Sequence, residues 1–275
     1  MPCILQIRPP DMLVYRGALS RGYNSESDRQ HTETSKVLIK HAGDSCPYTL
    51  RIEPEGGAGT AYMYNGQEVL EFEVSPPGRS GALGNNIVEL SGNIARGQFQ
   101  RTVPFEVQIP SRQKTLAGRY TARLEVSLYS DASSVGELAD RQYMELVVDV
   151  LPRIDASFGT DPVAHQKSQT LDFGTLRQGQ KSSLDFSVTA NTGYSIKMVS
   201  DNRGVLRHEF TQSSIDYDVF LDGNVVSLEG SPPNDVLLSA VTNSHHRMDL
   251  LITGNTETGL AGHYSDRLTL VISAD

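Results

Sequence analysis

The sequence predicts an all-β chain made of two β-sandwich domains in tandem, the C-terminal one lacking its last strand. Three observations predict it. Apolar residues recur at every second position in segment after segment, tight-turn pairs stand between those segments, and landmarks of the first half return in the same order in the second. A period of two gives a strand one apolar and one polar face, as in antiparallel sheets with one wet side. No long window sustains the 3.6-residue period of a helix.

Taken in order, Cys3 with Ile4 to Ile7 reads as a first strand, and Tyr48, Leu50 and Ile52 mark another. Tyr62, Met63 and Tyr64 follow a glycine-rich stretch, either as an apolar surface-contact loop or as the start of a strand with Tyr62 and Tyr64 in the core. Asn65-Gly66 accepts the positive φ angles of a hairpin turn. Ser75-Pro76-Pro77 is a breaker, and Pro76 to Asn86 is a long glycine-rich loop. Val103, Phe105, Val107 and Ile109 alternate, and so do Tyr120, Ala122, Leu124, Val126 and Leu128. Ser130 to Gln142 is a polar loop, in which Ser134 and Glu137 have capping-box spacing but read as a turn. Met144, Leu146, Val148 and Val150 form the final strand of the first domain.

Leu151-Pro152-Arg153 is the joint, giving domains 1–151 and 152–275. Beyond it alternate Leu184, Phe186 and Val188, then Tyr194, Ile196 and Met198. Asp201 to Gly204 lacks the spaced carboxylates of a calcium loop and reads as a turn. Asp222-Gly223 is a second hairpin pair, Ser231-Pro232-Pro233 a second breaker, and Leu268, Leu270 and Ile272 the last strand.

These landmarks repeat. Leu116-Ala117-Gly118-Arg119-Tyr120 answers to Leu260-Ala261-Gly262-His263-Tyr264 at an offset of 144, and Arg123-Leu124 to Arg267-Leu268 at the same offset. Tyr48 answers to Tyr194 at 146, Ser75-Pro76-Pro77 to Ser231-Pro232-Pro233 at 156, and Asn65-Gly66 to Asp222-Gly223 at 157. Their shared order points to two copies of one sandwich with loop insertions. The copies end differently, because no counterpart of Met144 to Val150 follows Ile272. Such a gap uncovers about four apolar side chains at ~1.5–3 kcal/mol each and leaves an unpaired edge.

A net charge of −9, from 24 Lys+Arg against 33 Asp+Glu, with no basic stripe, argues against nucleic acid as a partner. No apolar run approaches the ~20 residues of a spanning helix, and Met1-Pro2-Cys3 lacks the regions of a signal peptide. His245, His246, Asp249 and His263 include metal-ligand types, but neighbouring histidines on a strand face opposite ways, so they read as solvated loop side chains. No Gly-x-Ser-x-Gly motif and no distinguished carboxylate pair is present. No catalytic residue, metal or cofactor is expected. Cys3 and Cys46 are too few for structural zinc and wrongly spaced for a redox pair. They form either one disulfide, which needs an oxidising compartment, or two buried thiols.

Leu171-Asp172-Phe173-Gly174-Thr175-Leu176, Leu184 to Thr189, Gly193-Tyr194-Ser195-Ile196, Asp201 to Leu206, Ile215-Asp216-Tyr217 with Asp222-Gly223, and Ala261 to Asp266 together resemble a spore coat protein U domain. The resemblance covers most of residues 153–275, and residues 1–151 are similar to a diverged copy. It implies an immunoglobulin-like, non-enzymatic pilin of archaic chaperone–usher pili on Gram-negative bacteria. The implied partners are a periplasmic chaperone, an outer-membrane usher and the N-terminal donor strand of the next subunit. That strand would fill a groove lined by Ile154, Ala156, Phe158, Leu268, Leu270 and Ile272. In this family a cysteine pair commonly links early strands, which Cys3 and Cys46 would supply. A complete first domain beside an incomplete second, with the N-terminal residues used as a strand, is similar to a two-domain tip adhesin. Such a protein travels through the periplasm to the cell surface and serves attachment and biofilm formation, its first domain meeting a surface or glycan. The rival readings are a secreted carbohydrate-binding or coat structural protein of two complete sandwiches, and a hydrolase with dispersed carboxylates.

Overall fold

A computed structural model describes residues 2–18, 21–29, 31–57, 59–78, 86–130, 136–159, 166–228, 235–239 and 243–274. The described residues contain no α-helix, and the chain divides into two compact units, Met1–Leu151 and Pro152–Asp275. Ser134 and Ser231-Pro232-Pro233 lie outside the described residues, as does most of the Pro76 to Asn86 loop.

The described residues of the first unit form ten strands: β1 Ile4–Arg8, β2 Met12–Tyr15, β3 Thr32–Ala42, β4 Cys46–Pro54, β5 Ala61–Asn65, β6 Glu68–Ser75, β7 Val88–Ile94, β8 Gln100–Gln108, β9 Gly118–Tyr129 and β10 Leu138–Val150. One layer runs β1-β3-β8-β6 and the other β2-β10-β9-β4-β7. β5 links them, pairing with β6 along its length and with β9 at Tyr64 and Thr121 alone. Pro9 and Pro10 explain why the first strand is split. Proline offers no N–H to a ladder, so β1 leaves its antiparallel partner β3 there and the chain re-enters as β2, parallel to β10. Leu5 and Ile7 thus face the core from one layer, and Leu13 and Tyr15 from the other.

The alternating residues are the core. Tyr48, Leu50, Ile52, Val103, Phe105, Val107, Tyr120, Leu124, Val126, Leu128, Met144, Leu146, Val148 and Val150 are all buried in one cluster. The polar segment after Ser130 is shorter as a loop than the sequence suggests. Its end, from Leu138, is already paired with β9 in the β9–β10 hairpin, and on β10 the side chains up to Tyr143 are exposed or half-buried, so apolar alternation begins only at Met144. Cys3 and Cys46 are joined in a disulfide with Cα atoms 6.1 Å apart, which excludes the two-thiol reading.

The second unit repeats the plan with β11 Ile154–Phe158, β12 Lys181–Ala190, β13 Tyr194–Ser200, β14 Val205–His208, β15 Ser214–Leu221, β16 Asn224–Val226, β17 Asp235–Ser239, β18 Asn243–Ile252, β19 Tyr264–Ser265 and β20 Leu268–Ala274. β11-β12-β18-β15 matches β1-β3-β8-β6, and β17-β13-β20 matches β7-β4-β9. Even the register agrees: Ile196 faces Ile272 and Met198 faces Leu270, as Leu50 faces Leu128 and Ile52 faces Val126. Asp222 and Gly223, at φ 50° and 82°, form the two-residue turn between β15 and β16. In the first unit the turn pair is Gly66-Gln67, one residue later than the Asn65-Gly66 of the sequence reading, with Gly66 at φ 61°.

Candidate functional site

In the first unit β10 pairs with the outer edge of β9, and β2 then covers β10. In the second unit β20 pairs with β13, and no strand among the described residues pairs with its other edge. Among the described residues β11 pairs only with β12, and β11 and β20 approach each other directly. The apolar side chains of these two edge strands make up the candidate groove.

Burial differs between matching positions of the two units. Leu124, Val126 and Leu128 on β9 are 0% exposed. Their counterparts 144 positions on, Leu268, Leu270 and Ile272, are only half-buried. Ile154, Ala156 and Phe158 on β11 are half-buried as well, whereas Leu5 and Ile7 on β1 are buried. Phe158 leans edge to face on the buried Phe186, with ring centroids 6.4 Å apart, so the groove floor is continuous with the core. Leu171, Phe173 and Leu176, from the segment that resembles the spore coat protein U domain, also pack half-buried on that core. All six residues named from the sequence pack, half-buried, against one core. Covering it as β10 covers the first unit, with four apolar side chains at ~1.5–3 kcal/mol each, is worth roughly 6–12 kcal/mol before the cost of ordering a strand.

Sequence reasoning missed the residues that shape the end of this groove. Tyr120 donates to the Leu116 carbonyl at 2.9 Å, and Tyr264 donates to the Leu260 carbonyl at 3.0 Å. Each is a tyrosine corner, in which a hydroxyl pins the turn entering a strand to the backbone four residues upstream. The repeated Leu-Ala-Gly-x-Tyr was the signal for it. Asp266, two residues later, accepts from the Ser200 and Tyr217 hydroxyls and from the Asn202 and Arg267 N–H groups at 3.0 and 2.7 Å. It ties the start of β20 to β13 and β15. Burial, and secondarily the Asp266 carboxylate, push the Tyr217 hydroxyl well above its usual pKa.

Other expected positions need correction. Met63 is no surface contact: it is 0% exposed, and Tyr62 and Tyr64 point outward from β5, not into the core. The small Ala61 and the flexible Met63 fill the inner positions, so the aromatics take the other face of the strand. His246 is not a solvated loop histidine either. It is buried on β18, with Nδ1 2.8 Å from Asp222 Oδ2 and Nε2 2.8 Å from the Tyr194 hydroxyl. His245 points the opposite way, 3.0 Å from the Ser187 hydroxyl. Asp249 is held far below the usual carboxylate range, first by the Ser183 hydroxyl and then by Lys181. Cys3, His41 and Cys46 come close together, but the sulfurs are bonded to each other. Both His41 ring nitrogens lie 2.8 Å from backbone carbonyls, of Gln98 and Asp44.

No family model matches the chain, and no curated protein does so. Among solved structures the chain is similar to a chain of the CsuC–CsuE chaperone–tip adhesion subunit pre-assembly complex of archaic chaperone–usher Csu pili of Acinetobacter baumannii. The identity is 15%, over 89% of this chain and 90% of that one, with a TM-score of 0.46. The CupB6 tip adhesin of Pseudomonas aeruginosa is similar at 9% identity over 97% and 92%, with a TM-score of 0.43. CfaE, the adhesive subunit of CFA/I fimbria of enterotoxigenic Escherichia coli, is similar at 12% identity over 98% and 87%, with a TM-score of 0.39.

Proposed function

We propose that the chain is a non-catalytic adhesive subunit of a surface fibre of the chaperone–usher kind, completed by a strand from another chain. The β11–β20 groove takes that strand, first from a periplasmic chaperone and, at an outer-membrane usher, from the N-terminal segment of the next subunit. The first unit, already completed by β10, meets a surface or glycan, in keeping with a place at the fibre tip and a role in attachment and biofilm formation. One observation carries the reading: the same strand positions are sealed where β10 is present and half open where, among the described residues, no strand pairs with the outer edge of β20. Strand addition to an open edge, with alternate side chains entering a groove, is a known mode of recognition. Residues 4–8 and 12–15 pair within their own unit and are not free to be donated.

The test appends a second copy of Gln142 to Leu151, on a flexible linker, after Asp275. The bare chain should self-associate and the extended chain should be a monomer with a second unit that melts cooperatively. A bare chain that is already monomeric and equally stable would favour a self-contained binding protein instead.

A further inference from the structure

β9 changes partner in mid-strand, pairing with β4 from Leu124 to Tyr129 and with β5 only at Thr121. The chain leaves β4 through a tight turn, where the Gly57 N–H donates to the Pro54 carbonyl at 3.1 Å. An open cleft of about 750 Å³ remains over Ala122 and Arg123, within the size range of small-ligand sites. Three tyrosines line it: Tyr62 and Tyr64 from β5, 41% and 55% exposed, and Tyr143 from β10, 38% exposed.

Single exposed aromatics are ordinary, but a group of them around one concavity marks a contact site. The charged groups there are held in place. The Arg123 guanidinium stacks 4.0 Å from the Tyr143 ring centroid and reaches Glu55 at 3.2 Å. Glu145 stands opposite Arg123 across the β9–β10 pair, and it lines the cleft together with Glu55 and Asp11.

We propose that this cleft binds an uncharged glycan. Tyrosine rings give broad, stiff surfaces that fit the C–H faces of sugar rings at little entropic cost. Carboxylates accept from sugar hydroxyls and the guanidinium donates to them. Three carboxylates face one cation that Glu55 already neutralises, on a chain of net charge −9, so sialylated or sulfated sugars are repelled. The biological use of the cleft rests on the first unit being the recognition half, but the assay does not involve the groove of the second unit, so either reading can fail alone.

The test is saturation-transfer NMR and calorimetry of the 275-residue chain with neutral gluco-, manno-, galacto- and N-acetylglucosamine oligosaccharides, using tetralysine and a heparin tetrasaccharide as charged controls. A neutral oligosaccharide should bind equally at about 0.05 and about 0.5 M salt, since no charge is being screened. Tyr62→Ala and Tyr64→Ala should each weaken it about tenfold, Tyr→Phe at the same positions should retain most of it, and the variants should melt as the parent does. Binding of only a charged probe, no binding of any neutral probe, or unchanged affinity in the Tyr62→Ala/Tyr64→Ala double variant would overturn the proposal.

Discussion

Leu124 and Leu268 are the same residue at the same place in the two copies, so replacing each with alanine compares a sealed groove with an open one. Leu124 is 0% exposed, beside Met144 of the neighbouring strand β10. Truncating a leucine so enclosed costs ~2–5 kcal/mol, because transfer energy is lost and a cavity is left. Leu268 is half-buried, so Leu268→Ala loses less apolar burial and opens no closed void, for about 1–2 kcal/mol. With Gln142 to Leu151 appended after Asp275, the cost at Leu268 should rise by ~1 kcal/mol or more, toward that at Leu124. Urea unfolding read by pulse proteolysis follows each unit by its own fragments. Equal costs for the two substitutions in the bare chain, or no rise on adding the strand, would refute the reasoning.

Removing the disulfide with Cys3→Ser and Cys46→Ser frees a 43-residue loop, and loop-closure entropy sets the loss at about 4 kcal/mol in the first unit only, measurable by calorimetry. Asp249 has a lowered pKa in the fold, so its contribution is present above the unfolded value near ~4 and fades as pH falls through the folded value. Asp249→Asn should therefore destabilise at neutral pH, with the difference from the parent shrinking in acid denaturation curves. Tyr217 has a raised pKa, so its contribution holds below ~10 and is lost as pH climbs above that. Tyr217→Phe should flatten that alkaline limb in a melting-temperature series.

The core strands were legible because a period of two is written directly in residues such as Tyr120 to Leu128, where Tyr120, Leu124, Val126 and Leu128 are buried, Ala122 is half-buried and Ser127 is buried on the other face. The repeat was legible as landmarks in shared order, and the structure extends it to the register: moving the Leu50–Leu128 pair by 146 and 144 gives the pair Ile196–Ile272. Short strands such as β2 and β14 were not, since four residues carry too little alternation to separate a strand from a turn. For Tyr62 and Tyr64 the sequence left a surface loop and an inward-facing strand both open, because facing depends on parity set by Ala61 and Met63. The burial of His246 depends on Asp222 and Tyr194, which arrive from distant strands and leave no local signature. The unpaired outer edge of β20 has its sequence counterpart in the lack of a second Met144 to Val150, whereas Asp266, which fixes the start of β20, was visible only once Ser200 and Tyr217 converged on it.

Amide hydrogen exchange at β20 and β9 within one molecule tests the open groove most directly. Residues 268–274 should exchange far faster than residues 124–129 in the bare chain, and should slow toward them when the extra strand is appended. Equal protection of the two strands in the bare chain, or protection of β20 that ignores the added strand, would contradict a groove that waits for another chain.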